Sequence, residues 1–333
     1  MASHRLVYLS RREVIECGPT LAESIDLIEG VLGEHGQGRV ENPPKPGVHT
    51  LAGAFIHAMP GYLKGPRQVG LKWVSGYFAN PSRGLESISG LIVLNDPDTG
   101  FPTAVMDCAY ITALRTAAVS GVAARHLARP GSAALGLVGA GLQGRYNLLA
   151  LHQVLPDLKR ARVFDTFEAA LDRFIPAMTE LTGLAVEPAA SAEDAFAGAD
   201  VVVTATGWLD ERLFQADWVA PGALVLPVHA RGWERRVAVR FDKFLVDDWG
   251  QFSATMGGAD PYYDPLPDPH AELGQVVAGL KAGRDRPDER IIDFNFGMAI
   301  HDVAMASEVL DRARAKHLGT ELPQMDGVLP LSP

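Results

Sequence analysis

The stretch ALGLVGAGLQGRYNLLAL, residues 134–151, limits what this chain can fold into more than any other. An aliphatic run without polar interruption breaks into three glycines spaced G-x-G-x-x-G and resumes with helical periodicity. Continuous aliphatic runs mark strands buried on both faces, which belong to parallel sheets. A triplet of this kind between strand and helix predicts a turn that cradles a dinucleotide. Gly139 permits the tight turn, Gly141 lets the backbone approach a pyrophosphate, and Gly144 lets helix and strand pack closely. The helix start supplies free N–H groups for the phosphates. Asp165 ends the next strand, RVFD, 21 residues beyond Gly144. An acid there hydrogen-bonds ribose hydroxyls and repels a 2′-phosphate, so the expected cofactor is NAD(H), favoured over NADP(H).

The surrounding pattern agrees. AALGLV, RARVFD, ADVVVTAT, GALVLPV and DKFLVDD read as strands, separated by the helical GRYNLLALHQVL, TFEAALDRFIPAMTEL and SAEDAFAG. Such alternation predicts a doubly wound α/β sheet of Rossmann type. Before about residue 111 the reading is different. Ser10-x-x-Glu13 and Thr20-x-x-Glu23 fit helix capping boxes, and the second leads an amphipathic helix through Leu21, Ile25, Ile28 and Leu32. VGLKWVSGYF and SGLIVLND read as strands, with PDTG as a hairpin turn. The first third is therefore expected to be mixed α/β with an antiparallel sheet. The periodic segment FGMAIHDVAMASEVLDRARAKHLG is expected to form a long helix that packs back on it.

A formal charge of −10 with a pI near 5.5, and no basic run, argues against a nucleic-acid partner. The absence of a long apolar run or a secretory-type start leads to the expectation of a cytoplasmic protein with no membrane contact. Cys17 and Cys108 show no metal-ligand spacing and read as small buried hydrophobes.

TGFPTAVMDCAYITALRTAAVSGVAARHLARP, followed by GAGLQG, resembles the ornithine cyclodeaminase/mu-crystallin family. VGLKWVSGYFAN, GLIVLNDPDTGFP, HAELGQVVAGLKAGR and NFGMAIHDVAMASEVL are similar to its other landmarks, in order. The resemblance implies a substrate-binding and dimerisation domain, 1–118 plus 308–333, and an NAD-binding Rossmann domain, 119–307. It implies a homodimer that moves hydride between nicotinamide and the α-carbon of a small amino or imino acid. Lys72 and Arg115 match the positions that hold the substrate carboxylate and polarise the reacting carbon, and Lys45 falls where many members carry a third cation. Arg offers a planar fork suited to a carboxylate, and a Lys beside a bound cation can be tuned for acid–base work. By the same carry-over Thr116, Gln143, Thr204, Thr206, Asn295 and Gly297 are cofactor contacts, while Asp302 reads as an acid on a helix face.

Two departures bear on the substrate. Cyclodeaminases carry an aspartate in the loop after the strand ALVLPV, whereas this chain reads HARGWERRVAVRF there, with no aspartate between Pro227 and Phe241. His229, as a catalytic group, or Glu234 is the expected substitute for proton transfer. His57 stands where ornithine enzymes place a glutamate that meets the substrate's amine, so a diamino acid is not expected. An amino-acid dehydrogenase or ketimine reductase is the leading expectation. The alternatives are a cyclodeaminase with a relocated base and a catalytically silent, mu-crystallin-like NAD(P)H-binding protein.

Overall fold

The computed structural model describes residues 4–207, 209–229 and 231–325. The chain forms two compact units, one of Met1–Thr20, Val40–Thr112 and Ala299–Pro333, the other of Leu21–Arg39 and Ala113–Met298.

In the first unit, β1 (His4–Leu9), β2 (Val40–Glu41), β3 (Gly47–Val48), β4 (Ala54–Leu63), β5 (Gln68–Tyr77), β6 (Ile88–Asn95), β7 (Pro102–Asp107) and β16 (Thr320–Met325) make one sheet. Its order is β16-β1-β7-β6-β5-β4-β2, with β3 paired to β4. The β4–β7 meander is antiparallel, and VGLKWVSGYF and SGLIVLND form strands in it as expected. Lys72 and Val74 of β5 point inward and are buried, while Trp73 between them is 45% exposed. Asp96 makes the β6–β7 turn by accepting the N–H groups of Asp98 and Thr99. Helix α1 (Arg11–Cys17) starts where the capping box predicts, with the Glu13 carboxylate accepting the Ser10 N–H at 2.8 Å. Helix α9 (Ala299–Ala315) lies across β4, β5 and β6, burying Ile300, Val303 and Met305.

In the second unit, β8 (Ala134–Val138), β9 (Arg160–Phe164), β10 (Ala185–Pro188), β11 (Val201–Thr204), β12 (Leu224–Pro227), β13 (Lys243–Val246), β14 (Ala271–Glu272) and β15 (Ile291–Phe294) form a parallel sheet. Its order is β10-β9-β8-β11-β12-β15-β13-β14, so the winding reverses between β8 and β11. This is the expected doubly wound α/β sheet. Strands β8, β11, β12 and β15 are buried along their whole length, which is why they read as unbroken aliphatic runs. Around it lie α2 (Leu21–Gly36), α3 (Ala109–Leu127), α4 (Leu142–Val154), α5 (Glu168–Thr182), α6 (Ala192–Phe196), α7 (Trp249–Met256) and α8 (Leu273–Val277). An aromatic cluster of Phe196, Phe214, Trp233, Phe252, Tyr263 and Phe294 fills part of its core. Cys17 and Cys108 are both buried and free. Among the described residues no helix is long and apolar enough to cross a membrane.

The expected boundaries, 118/119 and 307/308, lie inside α3 and α9. The two compact units meet at 112/113, also inside α3, and at 298/299, where α9 begins, and α2 belongs to the second, where it packs on α8 and α4.

Two glycines of the loop after β8 should respond in opposite ways to alanine. A Cβ at Gly144 would stand 2.0 Å from the Gly139 carbonyl oxygen, whereas at Gly141 it would meet nothing within 4 Å. Gly144→Ala is expected to cost about 1–3 kcal/mol through overpacking, and Gly141→Ala no more than about 0.5 kcal/mol. Chemical denaturation of the two variants checks this.

Candidate active site

The loop after β8 has the geometry its spacing predicts. Gly139 adopts φ +109°, and a Cβ there would lie 2.4 Å from the Ala205 carbonyl oxygen, so only glycine fits. Its N–H reaches the Phe164 carbonyl at 2.8 Å. Asp165 braces the same loop, accepting the Ala140 N–H at 2.7 Å and the Phe167 N–H at 2.9 Å. Gly141 caps α4 without any side-chain bond, so the first-turn N–H groups remain available to an anion. Gln143 accepts from the Asn147 amide through both its backbone and side-chain oxygens.

The carboxyl ends of the neighbouring strands carry further polar groups. Thr204 Oγ1 and Asn295 Oδ1 are buried with no hydrogen-bond partner among the described residues. Such orphaned atoms fit a cofactor that brings its own donors. Thr206 Oγ1 lies 2.9 Å from His229 Nε2, so two residues singled out separately in the sequence are partners. Burial depresses His229 to about 4, and the ring is neutral near pH 7. A neutral imidazole is the form that accepts a proton or a hydrogen bond, so His229 keeps its place as a candidate proton-transfer group. Glu234 is not an alternative, because it accepts the Ala216 N–H at 2.8 Å and faces Arg240, a structural arrangement.

Arg115 and Thr116 lie on α3, both at least nine-tenths buried. The Arg115 guanidinium lies against Gly297: a Cβ built on that glycine would stand 2.9 Å from Nη1. Gly297 has φ +91°, and its N–H is held by Asp247 Oδ2 at 2.5 Å. Asn295 donates its amide to Asp293 Oδ2 at 3.1 Å.

In the first unit, Lys72 is 1% exposed and its Nζ meets Asp302 Oδ2 at 2.7 Å. Asp302 is no surface acid on a helix face. It is the buried counter-ion of Lys72, and the lysine's neighbour is a carboxylate. The signal was present in AIHDVAMA, where an acid stands among residues apolar on every side of the helix. Breaking such a pair from one side leaves an uncompensated charge, typically about 3–5 kcal/mol. His57 stacks on Phe55 with ring centroids 4.3 Å apart. Burial, and then the charges of Lys45, His49 and Lys72, lower its pKa to about 4. Burial pushes the Cys108 thiol up to about 11, so it is no ready nucleophile.

Asp293 gives a test with a defined sign. Burial, and then the charge of Asp247, raise its pKa to about 8. The folded chain thus keeps a proton that the unfolded chain loses near pH 4, and this group's contribution to stability falls as pH rises from about 4 to about 8, by up to about 1.4 kcal/mol per unit. Asp293→Asn removes that loss. Urea denaturation is expected to show the variant gaining on the parent between pH 5 and pH 8.

Comparison with known proteins agrees with this architecture. The sequence profile of the ornithine cyclodeaminase/mu-crystallin family matches residues 7–317. The nodulation efficiency protein NfeD of Rhizobium meliloti is 43% identical over 314 residues, 94% of this chain and 97% of that protein. The Δ1-pyrroline-2-carboxylate reductase of Thermococcus litoralis, solved with NADH and L-proline, superposes with a TM-score of 0.84 at 30% identity, covering 95% of this chain and 99% of that one. An archaeal alanine dehydrogenase dimer with bound NAD superposes at 0.83 with 32% identity, covering 96% and 99%. With its glycine loop, its sheet order and a match along nearly its whole length, the chain belongs to the ornithine cyclodeaminase/mu-crystallin family.

Proposed function

We propose that this enzyme is an NAD-dependent oxidoreductase acting at a C–N bond, interconverting an α-amino acid and its imine. The reading rests chiefly on one edge of the parallel sheet, which carries a glycine loop with no side-chain cap and, among the described residues, two buried polar atoms without partners, Thr204 Oγ1 and Asn295 Oδ1. Gly139, Gly141, Gln143, Gly144, Thr116, Thr206 and Gly297 complete the cofactor set. Asp165 favours NAD(H), because a 2′-phosphate would approach a carboxylate already committed to the loop's own N–H groups.

Bound by these residues, a nicotinamide would supply hydride exchange with the substrate's α-carbon, and the proton that the nitrogen gains or loses would be exchanged with water or with the neutral ring of His229. Arg115 offers its fork to the substrate carboxylate, and Lys72, oriented by Asp302, supplies a second cation. Lys45 adds positive charge around His57, which is neutral and accepts or donates a hydrogen bond to the side chain rather than binding a second ammonium. His229, fixed by Thr206, orients the reacting nitrogen as a neutral ring. Fixed charges that need no rearrangement carry most of the rate. This favours a dehydrogenase or ketimine reductase over a diamino-acid cyclase.

The solved relative described as a dimer supports the same state for this chain. The outer face of the first unit's sheet fits an interface: Trp73 and Leu91, cross-strand partners, are 45% and 42% exposed. We place this homodimer in the cytoplasm.

NADH fluorescence with α-imino acids formed from keto acids and amines is expected to show oxidation of at least one. Binding of NADH without turnover across the panel would support a silent binding protein instead. Arg115→Ala is expected to lower turnover about 100-fold or more while NADH affinity stays within about twofold; Gly141→Ala, folded normally, is expected to weaken NADH about tenfold, or 1.4 kcal/mol. Loss of NADH binding in the arginine variant would count against the assignment. Trp73→Glu is expected to halve the mass seen by light scattering, and an unchanged dimer would place the interface elsewhere.

A further inference from the structure

We infer that Asp247 is a positioning residue, whose carboxylate locks the Asn295–Gly297 loop in the conformation that lets Arg115 lie against Gly297 and present its guanidinium to the substrate. The inference rests on the reading of Arg115 given above and adds the group that sets its orientation.

Asp247 follows β13 directly and is fully buried. Its Oδ2 accepts the Gly297 N–H at 2.5 Å, its Oδ1 accepts the Asp248 N–H at 2.9 Å, and its own N–H extends the ladder to the Phe294 carbonyl at 3.1 Å. One side chain therefore ties together the ends of two parallel neighbours, β13 and β15, at the point where their backbone ladder stops. Gly297 leaves that junction with φ +91°. Its bare Cα faces the guanidinium, and a Cβ would come within 2.9 Å of Nη1, 3.3 Å of Nη2 and 3.5 Å of Cζ. All three atoms lie near the glycine, so the cation's position depends on where the glycine is held.

The charge state fits an anchor. After burial, the charge of Asp247 is what raises the pKa of the neighbouring Asp293. A charged acceptor holds an N–H about twice as firmly as a neutral one. A buried carboxylate that accepts two backbone N–H groups, those of Gly297 and Asp248, makes sense where the loop must not move.

The test uses the full-length enzyme, NADH and the best imino acid from the panel. Asp247→Ala is expected to raise KM for the imino acid about tenfold, equivalent to 1.4 kcal/mol, with NADH affinity within about twofold. Asp247→Asn keeps an oxygen for the Gly297 N–H and is expected to recover most of the loss. In an Arg115→Lys background, Asp247→Ala is expected to add less than about threefold, because the residue acts through the guanidinium. Equal losses in both backgrounds, or an asparagine variant no better than alanine, would overturn the inference. Should Asp247→Ala not fold, Gly297→Ala crowds the guanidinium directly and must raise the same KM; an unchanged KM is a refutation. An Arg115→Lys enzyme with normal KM sinks the reading of Arg115 itself, whereas an impaired one with a normal Asp247→Ala enzyme sinks only the role of Asp247.

Discussion

In a parallel sheet every strand ends at the same edge, and the ladder's last backbone groups are left there together. The second unit is organised around that constraint. Between β8 and β11, where the winding reverses, the loop after β8 cannot be covered by a crossover, and it needs glycine because the Ala205 carbonyl stands within reach of any Cβ. Asp165 satisfies the loop from one side. Farther along the edge, Asp247 satisfies the loop after β15. Two carboxylates, each at the end of a strand, thus hold the two loops around which the candidate chemistry is assembled.

Charge burial is the second organising theme. Lys72 and Asp302 remove each other's cost inside the first unit, and the pair fixes the lysine's ammonium without solvent. His57 and His229 take the opposite course and are kept neutral by burial. Asp293 is kept neutral by burial and then by the charge of Asp247. The protein decides the protonation of each group by its surroundings, so the same residue types serve as cation, anion or neutral hydrogen-bonding group.

Much of this was legible in the amino-acid order. Unbroken aliphatic runs marked the parallel strands and the glycine spacing marked the cradle, because each pattern reflects local burial or local backbone geometry, whereas VGLKWVSGYF shows a strand without showing that Lys72 is buried and Trp73 exposed. The roles of Asp302 and Glu234 are not legible in the sequence, for one reason. Whether an acid is a counter-ion, a backbone anchor or a proton carrier depends on what faces it, and Asp302 faces a residue 230 positions away in the chain. Asp247 carries no local signal, since an acid after a strand is also an ordinary helix-start residue.

By itself the sequence determined the class of fold, the family and the place of the nucleotide loop, all of which follow from periodicity and from a glycine spacing in which Gly139 and Gly144 leave no room for a side chain. Only the tertiary structure decided that Thr206 pairs with His229, that Lys72 pairs with Asp302, that Arg115 lies on Gly297, and that the units divide near residues 112 and 298. Those outcomes rest on contacts between distant segments, and the energy of a buried charge or hydrogen bond is set by the partner that folding brings to it rather than by its neighbours along the chain.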